Sequence, residues 1–164
     1  NEGTFHESLN IASSWKLPVV YVCENNLYGE FTAGKDVTSV KDIADRARGH
    51  DMPGIIVNGN DVVEVYETTS EAVARARRGE GPTLIECKTY RWEGHVVGEE
   101  AFLGKKAYRP ADEIAEWKKR CPARSANWVL QILEKQPQGF ENIQEFSLAL
   151  EYAIQYNAFY ICKR

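Results

Sequence analysis

Residues 15–30 read WKLPVVYVCENNLYGE, and the apolar run from Leu17 to Cys23 within them decides the expected fold. The run is continuous and rich in valine, which is typical of a parallel strand buried on both faces. The polar residues 24–29 follow it directly and predict a turn. Parallel strands need crossover connections, so this stretch favours an α/β sheet.

Helical and strand patterns alternate on either side of this stretch. Thr4 and Glu7 form a capping box that predicts a helix through about Trp15. Ser39 predicts the start of another helix that Pro53 ends. The expected order is helix to 15, strand 17–23, helix from 40, strand 55–57, helix 61–78 and strand 83–88. This order favours a mostly parallel sheet flanked by helices.

The rest of the chain differs from this alternating part. Residues 90–108 have no periodicity and predict a long loop, a kind of segment that is usually functional or disordered. Beyond Pro110 the pattern is helical, with helices expected over 111–120, 123–133 and 143–156. We therefore expect an α/β part, residues 1–109, with a helical C-terminal extension, residues 110–164.

Composition argues against two classes of partner. The 164 residues carry 20 Lys and Arg against 24 Asp and Glu, and the basic cluster at 75–78 fits a solvated helix face. Nucleic acid is not expected, because phosphate binding needs a basic stripe. A membrane is not expected either, because no apolar run approaches the roughly 18 residues needed. Four widely spaced cysteines without a CxxC pair favour a reducing compartment.

Polar segments follow the three predicted strands, at 24–29, 58–61 and 90–95. Ligands of open parallel sheets bind at the carboxyl ends of the strands. Asn25 and Asn26 suggest a cation site there, because neutral oxygens suit Mg²⁺ when phosphates supply the negative charge. Taken alone, the pair is better explained as an Asx turn that satisfies loop amides.

Five blocks occur in an order that resembles the alpha subunits of thiamine-diphosphate-dependent 2-oxo acid and acetoin dehydrogenases. They are NEGTFHESLN (1–10), WKLPVVYVCENNLYGE (15–30), MPGIIVNGND (52–61), GEGPTLIECKTYRWEGH (79–95) and YRPADEIAEWKKRCP (108–122). The resemblance would make this chain the C-terminal half of such a subunit. Residues 1–109 would then be part of a thiamine-diphosphate-binding domain whose N-terminal half, with a metal-binding Gly-Asp-Gly, precedes Asn1.

The resemblance implies roles for individual residues. Asn26, through its side chain, and Tyr28, through its main-chain carbonyl, would bind Mg²⁺, while Asn25 would support the turn. His95 would approach the cofactor diphosphate from the long loop and act in catalysis. The helix start that would border the diphosphate, where free amides favour anions, consists of Asn1, Glu2 and Gly3.

Other polar residues are expected to have ordinary structural roles. His6 would lie at a surface or interface, His50 would end a helix, and Asp61 would cap one. Many members of the family have serine after the loop histidine, where kinases regulate some of them. This chain has Val96 and Val97, which cannot be phosphorylated.

The resemblance implies oxidative decarboxylation of a pyruvate-type 2-oxo acid, or cleavage of acetoin, with acyl transfer to a lipoyl group. The implied cofactors are thiamine diphosphate and Mg²⁺, and the fragment alone would be inactive. The implied partners are a beta subunit and a lipoyl-bearing acyltransferase, in the cytoplasm or in the mitochondrial matrix of a eukaryote. Two alternatives remain open: a transketolase-like thiamine-diphosphate enzyme, and a truncated non-catalytic remnant that acts as an interaction module.

Overall fold

Helices and strands alternate along the described part of the chain. The computed structural model describes residues 2–103 and 108–120. In chain order the elements are α1 (Gly3–Ser14), β1 (Val20–Asn25), β2 (Tyr28–Gly29), β3 (Thr32–Ala33), α2 (Gly34–Val37), a 3-10 helix (Ile43–His50), β4 (Gly54–Asn58), α3 (Val62–Arg77), β5 (Thr83–Lys88), α4 (Glu100–Leu103) and α5 (Ala111–Lys119). The predicted α/β class is confirmed. The helices expected over 123–133 and 143–156 lie outside the described residues, as does Asn1.

A parallel sheet with the strand order β1-β5-β4 forms the centre of the fold. Asn25 of β1 and Asn58 of β4 both align with Lys88 of β5, so the three strands end at one edge. Strands β2 and β3 form a separate antiparallel hairpin shortly after β1. The polar segments that follow the three parallel strands therefore leave the sheet together, as predicted.

Apolar residues cover both faces of the sheet. Successive residues of a strand point to opposite faces, so Ile85 and Leu84 of β5 belong to different clusters. Ile85 packs in the cluster that contains Val65 of α3. Leu84 packs in the cluster that contains Leu9 of α1 and Ala47 of the 3-10 helix. Helices therefore lie on both sides of a central sheet, and none described is long and apolar enough to cross a membrane.

Three residues have the local roles predicted for them. Asp61 caps α3, because its carboxylate accepts hydrogen bonds from the backbone nitrogens of Val63 at 3.0 Å and Glu64 at 3.2 Å. His50 ends the 3-10 helix. His6 is exposed on α1, and its Nδ1 lies 3.4 Å from Nε2 of His50.

Two predictions around α1 and β1 are wrong. Helix α1 begins at Gly3, so Thr4 lies inside the first turn and no side chain caps the helix. Strand β1 begins at Val20, not at Leu17, because the backbone of residues 17–19 closes a turn against α1, with Leu17 N 2.8 Å from Ala12 O. Most of β1 is half-buried rather than buried on both faces, because β1 is an outer strand of the described sheet.

Two further elements differ from expectation. The helix expected from residue 40 begins at Ile43 and is a 3-10 helix. Segment 90–108 is not wholly irregular, because it contains the short helix α4 within its described residues.

Candidate functional site

The turn after β1 uses the side chains of two adjacent asparagines. Asn25 Oδ1 accepts a hydrogen bond from Leu27 N at 3.1 Å, and Asn25 Nδ2 donates one to Glu86 Oε1 at 2.6 Å. Asn26 Oδ1 accepts from Tyr28 N at 3.1 Å. The turn therefore contains two overlapping Asx motifs. Because an amide oxygen has two acceptor sites, Asn26 Oδ1 can also bind a cation.

Leu27 has an unusual backbone conformation in this turn. Its φ angle is +72°, in the left-handed region that costs a residue with a Cβ about 1–2 kcal/mol. Its carbonyl oxygen accepts a hydrogen bond from Gly34 N at 2.8 Å, and a Cβ at position 34 would lie 3.3 Å from that oxygen. Hydrogen bonds thus connect Leu27 to the Asn25 side chain on one side and to the first residue of α2 on the other.

A buried carboxylate lies beneath the turn. Glu86 of β5 is fully buried, and its Oε1 accepts from Asn25 Nδ2 and from Lys88 Nζ, the latter at 2.5 Å. Its Oε2 accepts from Ala44 N of the 3-10 helix at 2.8 Å. Lys88 Nζ also lies 2.8 Å from an oxygen of Asp42. The network joins the ends of β1 and β5 to the 3-10 helix.

The charges of this network affect two pKa values. Burial acts to lower the pKa of Lys88, but its hydrogen bonds to Asp42 and Glu86 outweigh burial and leave that pKa raised. The bond to Lys88 lowers the pKa of Asp42. At neutral pH the network therefore contains a protonated lysine next to ionised Asp42.

A cavity of about 890 Å³ opens beside the turn. Leu27, Tyr28 and Lys88 line one side of it, and Glu113 of α5 lines another. The Tyr28 hydroxyl donates a hydrogen bond to Glu113 Oε2 at 2.8 Å, and burial together with this bond raises the pKa of Tyr28 to about 12. Neither Asn26 nor His95 is among the described residues that line this cavity.

The segment that carries His95 folds against the β2–β3 hairpin. The His95 ring lies edge-on to Phe31, with ring centroids 6.5 Å apart, and its Nε2 is 3.8 Å from Glu30 Oε1. Arg91 donates to His95 Nδ1 at 3.2 Å. Glu99 accepts from His95 N at 2.5 Å, and a Cβ at Gly94 would lie 2.5 Å from Glu99 Cδ. The hairpin that contains Tyr28 therefore also contacts His95.

Arg109 holds the beginning of this segment. Its side chain is buried, and its guanidinium carbon lies 4.9 Å, 5.7 Å and 5.9 Å from the ring centroids of Tyr108, Tyr90 and Tyr28. It donates to the carbonyl oxygens of Arg91 and Glu93, the second at 3.0 Å. Cation–π contacts and paired hydrogen bonds thus fix segment 91–93 to the tyrosines.

The remaining predicted residues lie at the start of α1. Glu2 is the N-cap of this helix and Gly3 its first residue, while Asn1 lies outside the described part of the chain. A second cavity of about 530 Å³ is lined by Glu2, Phe5, Cys23 and Arg46, among others. Burial raises the pKa of the Cys23 thiol to about 11, so this cysteine is not a thiolate at neutral pH.

Sequence reasoning missed three residues that organise the site: Glu86, Glu99 and Arg109. Glu86 could have been found as the acidic residue in the apolar strand TLIECK, and Arg109 as the arginine between Tyr108 and Pro110. Glu99 carries no comparable local signal, because only the folded loop brings it back to Gly94 and His95.

The described residues offer no cluster of charged ligands for a metal ion. Within residues 2–103 and 108–120, no group of three or more His, Cys, Asp or Glu side chains could hold one. The neutral oxygens of the turn after β1 remain, and these suit a cation whose charge is balanced by a phosphate ligand. The donor set of the turn therefore fits a metal that arrives with an anionic ligand.

Residues 1–130 match the model of the dehydrogenase E1 component family. The chain is 49% identical over 116 residues to the alpha subunit of acetoin:2,6-dichlorophenolindophenol oxidoreductase of Bacillus subtilis, covering 71% of this chain and 33% of that protein. It is 46% identical over 122 residues to the 2-oxoisovalerate dehydrogenase alpha subunit of the same bacterium, covering 74% and 36%.

A plant relative gives a similar result. The chain is 45% identical over 123 residues to the chloroplastic pyruvate dehydrogenase E1 component subunit alpha-3 of Oryza sativa subsp. japonica, covering 73% of this chain and 29% of that protein. The chain thus spans about a third of the length of these relatives.

Proposed function

The chain belongs to the dehydrogenase E1 component family, and from that membership we propose that it is part of the alpha subunit of a thiamine-diphosphate-dependent dehydrogenase. The proposed reaction is oxidative decarboxylation of a small 2-oxo acid, or cleavage of acetoin, with transfer of the acyl unit to a lipoyl group. Relatives named for acetoin, 2-oxoisovalerate and pyruvate support this substrate class. The family match also favours a dehydrogenase over a transketolase-like enzyme.

The structural observation that carries the proposed cofactor site is the turn after β1, at the carboxyl edge of a parallel sheet. Asn26, through Oδ1, and Tyr28, through its main-chain carbonyl, bind Mg²⁺, and the diphosphate supplies the negative charge that these neutral ligands lack. When bound, thiamine diphosphate supplies the nucleophilic carbon for the reaction, and the protein orients it. The α/β part is then a portion of a thiamine-diphosphate-binding fold.

Two other elements complete the proposed diphosphate site. His95 donates a hydrogen bond to a diphosphate oxygen, and a protonated imidazole binds it more strongly. The start of α1, with Glu2 and Gly3, presents backbone amides to the same anion. The contacts of His95 with Glu30 and Phe31 support this role, because they attach the histidine to the hairpin that begins with Tyr28.

The proposed partners are a beta subunit, which completes the enzyme, and a lipoyl-bearing acyltransferase, which receives the acyl unit. The free cysteines Cys23 and Cys87 suit a reducing compartment, the cytoplasm or the mitochondrial matrix. Burial raises the pKa of both thiols to about 11, which keeps them protonated and unreactive there.

The test is a titration of thiamine diphosphate into the full-length alpha subunit assembled with its beta subunit. We expect N26A to weaken cofactor binding at least tenfold at limiting Mg²⁺, with a smaller loss at saturating Mg²⁺. The matched control is N10A, because Asn10 is an exposed asparagine of α1. Its cofactor affinity and its Mg²⁺ dependence should equal those of the unmodified protein.

Equal binding by N26A and N10A would exclude Asn26 as a metal ligand. Absence of cofactor binding by the unmodified assembly would instead favour the non-catalytic remnant. The 164-residue chain alone should bind thiamine diphosphate poorly, because its described residues offer Mg²⁺ no carboxylate cluster. Low-micromolar binding by this chain would contradict that expectation.

A further inference from the structure

The buried carboxylate of Glu86 has no assigned role in the proposed cofactor site. It is fully buried in β5, yet both of its oxygens are hydrogen-bonded, Oε1 to Asn25 Nδ2 and Lys88 Nζ and Oε2 to Ala44 N. A buried carboxylate is tolerated when such donors satisfy it. The three donors come from three different elements. One donor is the side chain of Asn25, which begins the turn after β1, the proposed metal-binding turn.

Glu86 determines which way the Asn25 amide faces. The two ends of an amide differ chemically, because the oxygen only accepts hydrogen bonds and the nitrogen only donates them. Both oxygens of Glu86 accept hydrogen bonds, Oε2 from Ala44 N and Oε1 from Lys88 Nζ, so Oε1 faces the donor end of the amide, Asn25 Nδ2, at 2.6 Å. Asn25 Oδ1 then faces Leu27 N at 3.1 Å. A flipped amide would place oxygen against carboxylate and NH₂ against the backbone N–H.

The bond from Asn25 to Leu27 has a conformational consequence. Leu27 has a φ angle of +72°, which is uncommon for a residue with a Cβ and persists only where surrounding contacts hold it. The chain bends at Leu27, and Tyr28 N donates to Asn26 Oδ1 across this bend. The two proposed metal ligands therefore depend on an unfavourable backbone conformation that the Asn25 side chain stabilises.

We propose that Glu86 is a positioning residue for the metal-binding turn, and that it acts by fixing the orientation of the Asn25 amide above it. The inference rests on the proposed function for its effect on Mg²⁺ and cofactor. Its effect on the conformation of Leu27 depends only on the hydrogen bonds of this chain. Lys88 bridges the carboxylates of Glu86 and Asp42.

The proposal can be tested by reversing the polarity of one hydrogen bond. In E86Q, a single oxygen cannot accept from both Asn25 Nδ2 and Ala44 N, so an NH₂ group faces another donor. In N25D, two carboxylates face each other. In the double variant N25D/E86Q, the glutamine at position 86 donates to the aspartate at position 25 and still accepts from Ala44 N. The aspartate still accepts from Leu27 N. Lys88 Nζ loses its acceptor at position 86 and keeps Asp42.

Thiamine diphosphate affinity at fixed Mg²⁺ is measured for all variants in the full-length alpha subunit assembled with its beta subunit. We expect a loss of at least tenfold in E86Q and in N25D, and affinity within about threefold of the unmodified protein in N25D/E86Q. The control is I85V, which trims a fully buried neighbour on the opposite face of β5. It should lower stability and leave cofactor affinity unchanged.

Hydrogen exchange of the Leu27 and Tyr28 amides gives a second readout that needs no cofactor. We expect exchange at least tenfold faster in both single variants and near-normal exchange in the double variant and in I85V. If E86Q does not fold, N25A replaces it, because Glu86 then keeps Lys88 and Ala44 as partners, and the same faster exchange is expected.

Three results would overturn the inference. The Leu27 and Tyr28 amides could exchange as slowly in E86Q as in the unmodified protein, or as slowly in N25A, or the double variant could show the same losses as the single variants. If the unmodified assembly binds no thiamine diphosphate, the proposed function fails, and amide exchange alone then decides the role of Glu86.

Discussion

Replacing Gly54 by alanine is expected to separate β4 from the 3-10 helix. A Cβ at position 54 would lie 2.1 Å from the carbonyl oxygen of Ala44 and 3.0 Å from Cβ of Ala47. The first distance is about 1.4 Å inside an optimal contact of about 3.5 Å. A flexible side chain cannot relieve this clash, because the atom that would have to move belongs to the backbone.

The loss of stability in G54A follows from the contacts that are disrupted when the Ala44 backbone moves. Overpacking a core costs about 1–3 kcal/mol, and a clash with backbone belongs at the upper end. Ala44 N also donates to Oε2 of Glu86, so moving residue 44 weakens the bond that satisfies a buried carboxylate. We expect G54A to lower the free energy of unfolding by about 3 kcal/mol. In a chain of this length that corresponds to roughly 6–12 °C in Tm.

Urea unfolding and thermal melting of G54A and of G49A form the assay. Gly49 is the matched control, because it lies in the adjacent 3-10 helix and a Cβ there would meet nothing within 4 Å. G49A should stay within about 1 kcal/mol of the unmodified protein. The reasoning is refuted if G54A is equally harmless, or if the two variants shift Tm by similar amounts.

Three other predictions concern the loop and its tyrosines. R109K should lower the free energy of unfolding in urea by about 2 kcal/mol, because a lysine cannot donate to two carbonyl oxygens in the same geometry. R120K, which changes an exposed arginine over Trp117, should lower it by less than about 0.5 kcal/mol. Equal losses would contradict a special role for Arg109. The pKa of Tyr28 is raised to about 12, so the contribution of Tyr28 to the free energy of unfolding is complete below about pH 10 and is lost as pH rises towards 12. Y28F should reduce the fall in unfolding free energy over this pH range, and an unchanged fall would contradict the raised pKa of Tyr28. H95A in the full-length enzyme should weaken cofactor affinity with little change in Tm. Limited proteolysis of the unmodified enzyme between residues 92 and 108 should slow when cofactor and Mg²⁺ are added. Equally fast cleavage in both conditions, together with full activity of H95A, would exclude a role for the loop.

The parts of the fold that depend on local chemistry could be predicted from the sequence. Strand β5 was predicted with its observed bounds, because an apolar run between Pro82 and Thr89 has few alternatives. Asp61 was predicted as a cap because capping needs only the amides two and three residues later. The capping box at Thr4 failed because the helix cap lies two residues earlier, at Glu2, whose side chain makes no cap hydrogen bond.

The candidate site was only partly predictable, because its support comes from distant residues. Asn25 and Asn26 are visible as a pair, but the donors to Glu86 come from positions 25, 44 and 88. The tyrosines around Arg109 likewise come from positions 28, 90 and 108. Contacts across such separations leave no periodic signal, so a sequence pattern indicates the edge of the sheet without indicating what supports it.

The hydrogen bonds of Glu86 also bear on how the sheet assembles. In β5 the side chains of Glu86 and Ile85 point to opposite faces, so sliding β5 by one position past its neighbours would exchange them. The carboxylate would then enter the layer that contains Val57 and Val65, away from Asn25 and Ala44, two of its three donors, and Ile85 would replace it beside Asn25. A pairing shifted by one position thus buries a carboxylate that has lost its hydrogen bonds to Asn25 and Ala44, whereas the native alignment keeps them. The hydrogen bonds of Glu86 therefore favour the native strand alignment whether or not a ligand is bound.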